Sequence, residues 1–277
     1  MNPFRVLWRR RSLERSCRWT RNELLAQQTR RLTELRQFVM ARSPFYHQSH
    51  RGLEHAPLEA LPVLTKGTMM EHFDELVTDR SVRLGDAEAF LRRNPGNELF
   101  LGRYVVLCTS GSTGQRGIFL YDRGEWLTAM AMITRPFLWA GIVSEWGFPP
   151  RAATITSTTP WHYSARVSAS LANRLFPALR LDATEPVLTL VRRLNEFQPE
   201  VLAVYPSVLR QLAEEQVAGR LRIRPRAVGT SAEVLPDDTR RRVRQAWGIE
   251  VFDAYGATEY APIAAECVFG RKHLLED

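Results

Sequence analysis

The sequence predicts an α/β fold in which a mostly parallel sheet is layered between flanking helices. Short apolar or β-branched runs alternate with helical segments through the second half of the chain. Strands separated by helices of about ten residues or more pair in parallel, because the helix returns the chain to the same end of the sheet. The chain has 277 residues, of which 44% are hydrophobic, so it can bury a large core as one domain or two.

The first half of the chain is expected to be largely helical. The expected elements are a basic helical segment at 1–42, an extended segment at 61–66, a helix at 69–76, a buried strand at 103–108 and a helix at 123–139. The first helix ends at Ser43, because the residue before Pro44 is disfavoured in the α-helical conformation. Thr65 or Thr68 caps the second helix, and Pro136 kinks the last one.

From residue 152 onward, strands and helices alternate. We expect strands at 152–157, 178–181, 201–205, 226–230 and 249–252. We expect helices at 164–176, 187–197, 207–218 and 236–247. Ser207 is the expected cap of the third of these helices, and Gly219 and Gly248 are the expected stops of the third and fourth.

The net charge of +8 has two explanations. A basic protein can bind nucleic acid or another anionic partner. However, lysine occurs only at positions 66 and 272, so the positive charge is nearly all arginine. Such a bias also follows from the codon composition of a genome. We favour this second explanation, expect no nucleic-acid partner, and interpret the arginine cluster at 9–11 as the solvated side of a helix.

Cysteine usage and hydropathy favour a cytoplasmic location. Cys17, Cys108 and Cys267 are odd in number and widely spaced, so a disulfide framework is not expected. No apolar run approaches the roughly 18 residues of a membrane span. The apolar patch within residues 1–11 is too short for the core of a signal peptide. We therefore expect no membrane partner.

A glycine-rich stretch follows the predicted strand at 103–108. It contains Thr109, Ser110, Gly111, Ser112, Thr113 and Gly114. Glycines let backbone N–H groups approach an anion closely, and the hydroxyls add further donors, so the stretch can hold phosphate. An ordinary turn is the alternative. The P-loop of common NTPases is excluded, because its lysine and hydroxyl are missing at the required positions.

A second polar stretch, residues 253–259, follows the predicted strand at 249–252. Ligands of open parallel sheets lie beyond the carboxyl ends of strands, so this stretch and the glycine-rich stretch can face one crevice. Tyr255 can stack on a base, Thr258 can donate to a phosphate oxygen, and Glu259 can hold Mg²⁺ against phosphates. A turn with a core tyrosine is the alternative.

Together the two stretches resemble the motifs of the adenylate-forming superfamily, which includes the acyl-CoA synthetases. Four further segments resemble its branch of phenylacetate-CoA ligases and CapK-like proteins, at 43–46, 61–66, 229–233 and 266–267. The resemblance extends from about residue 40 to the end of the sequence. It implies an N-terminal segment at 1–42 and an ATP-binding adenylation domain at 43–277.

The resemblance implies roles at the phosphate end of ATP. Residues 109–114 would bind the β- and γ-phosphates, Thr258 would contact the α-phosphate, and Glu259 would hold Mg²⁺. Thr258 and Glu259 are therefore candidate catalytic residues. A carboxylate would attack the α-phosphorus, and metal and N–H donors would neutralise the developing charge.

The resemblance also implies an adenine site. Ser231, Ala232 and Glu233 would lie along the base, Asp253 would bond its amino group, and Tyr255 would stack on the ring. Gly256 and Ala257 complete the set of expected nucleotide contacts.

His162 is the third candidate catalytic residue, because residues 159–162 resemble the segment that places an aromatic residue or histidine near the substrate carboxylate. A structural role in a loop is the alternative for this histidine. Trp139, Trp161 and Tyr163 could line an acyl pocket or belong to the core. Cys267 and His273 supply at most two of the four ligands of a zinc site, so zinc is not expected.

The chain departs from the family pattern in two places. Gln115-Arg116-Gly117 replaces the family's Pro-Lys-Gly, and the sequence ends before the family's ribose-binding residues and mobile C-terminal domain with its catalytic lysine. We therefore expect a truncated, split or degenerate enzyme whose thioester step fails unless the missing part is supplied.

These observations leave three functional hypotheses. The first is ATP-dependent activation of an aryl or acyl carboxylic acid to an acyl-adenylate and then a thioester, with ATP, Mg²⁺ and CoA. A C-terminal half or a carrier protein acting in trans, or a homodimer, would be its partner. The second is a catalytically incompetent fragment that binds a nucleotide or a partner. The third, a nucleic-acid-binding protein, has only the net charge in its favour.

Overall fold

The computed structural model describes residues 2–93, 96–109, 111, 114, 116–140, 151–171, 178–260 and 262–277. Two compact units divide the chain. The larger unit comprises residues 1–14 and 124–275, and the smaller one comprises residues 15–123 and 276–277. Among the helices of the described residues, none is long and apolar enough to cross a membrane.

The helices are, in chain order, α1 Pro3–Glu14, α2 Arg21–Arg42, α3 Pro44–Ser49, α4 Lys66–Glu71, α5 Phe73–Leu76, α6 Leu84–Arg92, α7 Arg123–Trp139, α8 Tyr163–Leu171, α9 Val187–Phe197, α10 Pro206–Val217 and α11 Asp237–Trp247. The strands are β1 Val105–Cys108, β2 Ile118–Tyr121, β3 Ala152–Thr156, β4 Ala178–Asp182, β5 Val201–Val204, β6 Ala227–Ser231, β7 Val251–Gly256, β8 Pro262–Glu266 and β9 Lys272–Leu274.

The larger unit is built on a seven-stranded sheet of order β4-β3-β5-β6-β7-β8-β9. The pairs from β4 to β7 are parallel, whereas β8 and β9 add to the edge in antiparallel pairs. The helices α8, α9, α10 and α11 connect successive parallel strands. The predicted α/β class with a mostly parallel sheet is therefore confirmed.

Helices α9, α10 and α11 cover the sheet with one apolar core. Leu194 of α9, Leu212 of α10 and Val243 of α11 are fully buried against Leu202 and Val228 of the neighbouring strands β5 and β6. Each buried side chain of this size stabilises the fold by about 1.5–3 kcal/mol relative to leaving it exposed. This core holds the strand ends at which polar side chains lie.

Strand β7 is longer than the predicted 249–252. It runs to Gly256 because it has partners on both sides, β6 up to Ala254 and β8 from Ala254 to Gly256. The predicted end of this strand at residue 252 is therefore wrong. Strands β8 and β9, which the sequence reading missed, form a hairpin whose turn has Gly270 at φ +66°.

Two predicted helix boundaries are corrected in the larger unit. Helix α10 begins at Pro206, so Ser207 lies in its first turn and is not its cap. Pro206 suits this position, because its missing N–H has no intrahelical partner there. Gly219 and Gly248 follow α10 and α11 at φ +75° and +71°, as predicted. Residues 172–176 of the helix predicted at 164–176 lie outside the described residues.

The smaller unit contains α2 to α6 and the antiparallel pair of β1 with β2. The basic segment at 1–42 is two α-helices, separated by a 3-10 turn at Arg15–Arg18. Ser43 ends α2 and caps α3, and Thr65 caps α4 by accepting a hydrogen bond from the backbone N–H of Thr68. The helix predicted at 69–76 is divided into α4 and α5 at His72.

Asp79 anchors the segment that leads into β1, which contains Arg103 and Tyr104. Its Oδ2 accepts hydrogen bonds from the Tyr104 hydroxyl at 2.5 Å and from Arg103 at 2.7 Å, and its Oδ1 accepts from Ser81. The bond from Tyr104 is the largest of the effects that lower the pKa of Asp79 to about 2. Burial, followed by the bond to Asp79, raises the pKa of Tyr104 to about 12.

We expect Leu194→Ala to lower the free energy of unfolding by about 2–5 kcal/mol, because the cavity opens in the packed face of α9. Leu188→Ala, on the same helix at a side chain that is 63% exposed, is the matched control and should change stability by less than about 0.5 kcal/mol. Urea unfolding measures both. Equal losses in the two variants would contradict the burial pattern of α9.

Asp79 is expected to stabilise the fold in a pH-dependent manner. Its pKa is lower in the folded state than the ordinary 3.8, so the contribution is complete above about pH 4 and is lost as the pH falls toward about 2. Asp79→Asn should cost on the order of 1 kcal/mol at neutral pH and flatten the stability profile in that acidic window. Urea unfolding across pH, with exposed Asp86→Asn as control, tests this; an unchanged profile contradicts it.

Candidate functional site

Five parallel strands of the larger unit end at one edge of the sheet, here called the carboxyl edge. In register, Thr156 of β3 pairs with Asp182 of β4, Val204 of β5 with Thr230 of β6, and Ser231 of β6 with Ala254 of β7. The polar residues at or just after these strand ends therefore lie along one edge. Ligands of open parallel sheets bind at this edge.

Asp253 of β7 is held there by two side chains. Its carboxylate is buried, with the residue 8% exposed, and Oδ1 accepts a hydrogen bond of 2.9 Å from the Thr230 hydroxyl. Oδ2 accepts a hydrogen bond of 2.6 Å from the ammonium group of Lys272 on β9. A carboxylate has about four lone-pair sites, so each oxygen can accept one bond more.

Glu266 of β8 fixes the strand beneath Asp253. Its Oε2 accepts a 3.0 Å hydrogen bond from the backbone N–H of Asp253, and its Oε1 lies 2.7 Å from the guanidinium of Arg240 on α11. Arg240 also donates to the carbonyl of Val251 at 3.0 Å. One buried carboxylate thus links α11, β7 and β8, so Asp253 is kept in a single position.

Tyr255 presents its ring to solvent although it lies within β7. The residue is 57% exposed, and the pairing with β8 shifts register between Tyr255 and Gly256. Such a bulge re-aims the strand end. The alternative prediction, in which this tyrosine belongs to the core, is therefore wrong. The exposed ring is available to stack on a planar ligand.

The segment that follows β7 is short and turns sharply. The backbone N–H of Ala257 donates to the carbonyl of Tyr260 at 3.1 Å. Thr258 is half-buried within this turn, and the carboxylate of Glu259 is exposed. The carboxyl edge therefore carries an oxygen ligand suited to a hard cation at the end of β7.

The turn beyond β6 is conformationally strained. Ala232 has a φ of +72°, a left-handed conformation that costs a residue with a Cβ atom roughly 1–2 kcal/mol. Glu233 accepts hydrogen bonds from the backbone N–H of Ser207 at 2.9 Å and from its hydroxyl at 3.0 Å. Its carboxylate therefore stabilises the first turn of α10.

His162 belongs to a hydroxyl network at the ends of β3 and β5. Its Nδ1 lies 2.7 Å from the Ser157 hydroxyl, and the backbone N–H of Ser157 donates to the Tyr205 hydroxyl at 3.1 Å. The Tyr205 hydroxyl also lies 3.0 Å from that of Ser164 on α8. The imidazole is thereby oriented at the carboxyl edge.

Asp182 supports the loop that carries His162. Its Oδ2 accepts hydrogen bonds from the hydroxyl and the backbone N–H of Thr158, and its Oδ1 accepts from Thr184. The bond from the Thr158 hydroxyl is the main reason why the pKa of Asp182 lies far below its usual range. This carboxylate is a loop anchor that remains ionised.

The candidate acyl-pocket aromatics have packing partners within the larger unit. The ring of Tyr163 packs edge-on against Trp126 with centroids 6.0 Å apart, and Trp139 packs in the same manner against His273 at 6.1 Å. A lining role for Trp139, Trp161 and Tyr163 stays a prediction.

In the smaller unit, the glycine-rich stretch joins the antiparallel strands β1 and β2. Thr109 closes it, since its backbone N–H donates to the carbonyl of Gly117 at 3.0 Å and its hydroxyl accepts from the N–H of Gly117 at 2.8 Å. Gly111 and Gly114 have φ values of +74° and +89°, which glycine adopts without strain. The predicted contacts Ser110, Ser112 and Thr113 lie outside the described residues.

Two cationic side chains accompany this stretch. The Cδ of Lys66 would lie 3.6 Å from a Cβ placed on Gly117, and the Cγ of Arg116 only 2.7 Å from one placed on Gly111. Both side chains are exposed, and neither forms an ion pair among the described residues. An anion bound by the loop would therefore meet two positive charges. Sequence reasoning did not assign Lys66 to this loop.

Cys267 and His273 lie together in the hairpin of β8 and β9. The Cys267 sulfur is 3.2 Å from Nε2 of His273, and the backbone N–H of Phe269 is the main cause that lowers the pKa of the thiol. Over the described ranges, no group of three or more histidine, cysteine, aspartate or glutamate side chains could hold a metal ion.

The predicted membership of the adenylate-forming superfamily is confirmed by a family match. Residues 103–276 match the family described as AMP-binding enzyme, and the chain belongs to this family.

Two kinds of relatives agree with this assignment. The chain is 23% identical to Protein CapK of Staphylococcus aureus over 260 residues, which cover 88% of this chain and 52% of that protein. A structure of 2-hydroxyisobutyryl-CoA ligase in complex with 2-HIB-AMP and CoA in the thioesterification state has a TM-score of 0.66 at 18% identity, over 93% of this chain and 55% of that one.

An open conformation of the same ligase, also with 2-HIB-AMP and CoA, gives a TM-score of 0.64 at 18% identity, over 89% of this chain and 57% of that one. At these identities the likeness shows the shared fold. The chain spans about half the length of these relatives.

We expect Arg240→Met to destabilise the larger unit by about 2–4 kcal/mol, because it leaves the buried carboxylate of Glu266 without its charged partner. Arg241→Met is the matched control. Arg241 is the next residue of α11, its side chain is 66% exposed, and its ion pair with Asp238 is worth at most about 1 kcal/mol. Thermal unfolding of both variants checks this, and a control that is as costly as Arg240→Met would refute the special role of Glu266.

Proposed function

We propose that this chain forms the nucleotide-binding part of a ligase that uses ATP to convert a carboxylic acid to an acyl-adenylate, and then to a CoA thioester. Membership of the AMP-binding enzyme family gives the reaction class. One observation supports the assignment most directly. On the same strand, the carboxylate of Asp253 is buried and held by two hydrogen bonds, whereas the ring of Tyr255 is exposed to solvent.

The adenine would bind along the turn after β6 and the end of β7. The ring of Tyr255 can stack on the base, and the free lone pairs of Asp253 can accept the exocyclic amino group. The strained backbone at Ala232 supports this placement, because such strain is concentrated at ligand sites. Gly256 and Ala257 leave room beside the ring, since neither has a bulky side chain.

The phosphates would bind at two places in the chain. Thr258 would donate to the α-phosphate, and Glu259 would hold Mg²⁺, which typically binds one or two carboxylates together with phosphate oxygens. Bound Mg²⁺ supplies charge neutralisation. The glycine-rich stretch from Thr109, with Lys66 and Arg116, would bind the β- and γ-phosphates through N–H groups and cations.

The reaction follows from this charge distribution. A carboxylate oxygen of the acid attacks the α-phosphorus, the bond to the β-phosphate oxygen breaks, and pyrophosphate leaves with the electron pair. The CoA sulfur then attacks the acyl carbon and AMP leaves. His162, oriented by Ser157, would position the acid carboxylate or contact the α-phosphate.

The identity of the acid and the source of the remaining machinery are part of this proposal. As substrate we propose an aryl acid of the phenylacetate type, and we propose that the enzyme is cytoplasmic. The chain spans 52% of CapK. The second candidate function is binding of a nucleotide or of a partner protein without turnover.

The decisive experiment is ATP–pyrophosphate exchange, measured with a panel that includes phenylacetate and 2-hydroxyisobutyrate, with and without the C-terminal half of a related ligase. Exchange that depends on one acid supports the ligase. Absence of exchange in every mixture, together with ATP binding by calorimetry, supports the binding fragment. Absence of both contradicts a nucleotide site.

Tyr255→Ala should weaken ATP binding about tenfold, since stacking on a base contributes about 1–3 kcal/mol. Tyr255→Phe keeps the ring and should bind nearly as well as the wild type. Tyr260→Ala is the matched control, because Tyr260 is five residues away and similarly exposed at 51%. Calorimetry with ATP measures all three, and an equal loss in Tyr260→Ala would contradict the stacking role.

A further inference from the structure

The cations of the larger unit differ in what their ion pairs can do. Arg10 is only 3% exposed, and its guanidinium lies 3.1 Å from the carboxylate of Glu14 on the same helix. The expectation that the arginine cluster at 9–11 is a solvated side is therefore wrong for Arg10, which is turned into the protein. The ion pair of Lys272 with Asp253 lies instead at the carboxyl edge, where a ligand can reach it.

Lys272 approaches Asp253 from two strands away. It lies on β9, and β8 separates β9 from β7 in the sheet. Its ammonium group is 2.6 Å from Oδ2 of Asp253. Tyr255 follows two positions along β7, so its side chain projects from the same face of the strand as that of Asp253. The ammonium therefore lies on the face of the sheet from which the ring of Tyr255 projects.

The ammonium is the accessible half of this pair. The side chain of Lys272 is 42% exposed, whereas that of Asp253 is 10% exposed. Strand β9 is exposed at all three of its residues, Lys272–Leu274. A planar ligand that reaches Asp253 from solvent therefore meets the ammonium beside the carboxylate.

The pair offers a hydrogen-bond acceptor and a donor side by side. An ammonium has three N–H donors, and among the described residues that of Lys272 bonds Asp253 alone. Two donors therefore remain next to a carboxylate whose oxygens can each accept one bond more. An arginine would instead bind both carboxylate oxygens with its planar fork, so the compact ammonium suits this arrangement better.

Adenine presents the complementary pattern. Its exocyclic amino group is a donor, and the ring nitrogens N1 and N7 on either side of that group are acceptors. Guanine in the same orientation would bring its O6 carbonyl, which is an acceptor, to the carboxylate. The ion pair is therefore matched to the amino edge of adenine.

We propose that Lys272 is a base-reading residue, which donates to N1 or N7 of adenine beside the amino group that Asp253 accepts. The inference rests on the proposed nucleotide site and adds to it a residue that sets the specificity for the base. Lys272 contacts the base directly, in addition to holding Asp253.

Calorimetry with ATP, 7-deaza-ATP and 1-deaza-ATP tests this role, because each analogue replaces one ring nitrogen by a C–H group. The wild type should bind one of the two analogues about tenfold more weakly than ATP, since a hydrogen bond from a charged donor is lost. In Lys272→Met this difference should disappear. If Lys272 only supported Asp253, the ratio of the affinities for ATP and the analogue would be the same in the variant and the wild type.

The matched control is Arg271→Met, which removes an exposed cation at the adjacent position and should keep the wild-type ratios. Thermal unfolding shows whether each variant folds. The wild type should also bind GTP at least about tenfold more weakly than ATP, because the amino group is replaced by a carbonyl.

Three results would overturn the role of Lys272 and leave the nucleotide site intact. These are equal binding of ATP and both analogues by the wild type, wild-type ratios that persist in Lys272→Met, and GTP binding as tight as that of ATP. The first and third need no variant, so they decide the matter even if Lys272→Met does not fold. Absence of ATP binding by the wild type would overturn both this role and the proposed function.

Discussion

The carboxylate of Glu266 is the interaction on which the arrangement of the carboxyl edge depends. It is buried, yet it bonds the guanidinium of Arg240 on a helix and the backbone N–H of Asp253 on the next strand. Burying a charge is costly unless such partners compensate it, so this geometry has few alternatives. The consequence is a fixed Asp253, whose own oxygens then select Thr230 and Lys272 as neighbours.

Local patterns predicted much of the fold. Helix α9 was predicted with its observed bounds, because Leu190 and Leu194 mark an apolar face and Gln198, at φ +53°, ends the helix. The end of β7 could not be predicted, because its length is set by pairing with β8, a contact that no local pattern encodes. The hairpin of β8 and β9 was missed for the same reason.

The candidate site residues show the same difference between local sequence patterns and long-range contacts. Tyr255 and Glu259 were predicted as site residues because they belong to a short contiguous motif. Lys272 was given no site role, since nothing local indicates that a residue 19 positions after Asp253 returns to its carboxylate. Lys66 was likewise predicted only as the end of the extended segment at 61–66, and its closeness to Gly117 required the fold of the smaller unit.

The strand order β4-β3-β5 has a consequence for how this fold can change its ligands. The chain moves from β3 to one side to form β4 and then crosses back to the other side to form β5, so β3 is a topological switch point. Right-handed crossovers in opposite directions place α8 and α9 on opposite faces of the sheet. The loops after β3 and β5, which carry His162 and Tyr205, therefore border the switch point, and the hydrogen bond from the backbone N–H of Ser157 to the Tyr205 hydroxyl couples them. A change of ligand at this point requires changes in both loops together.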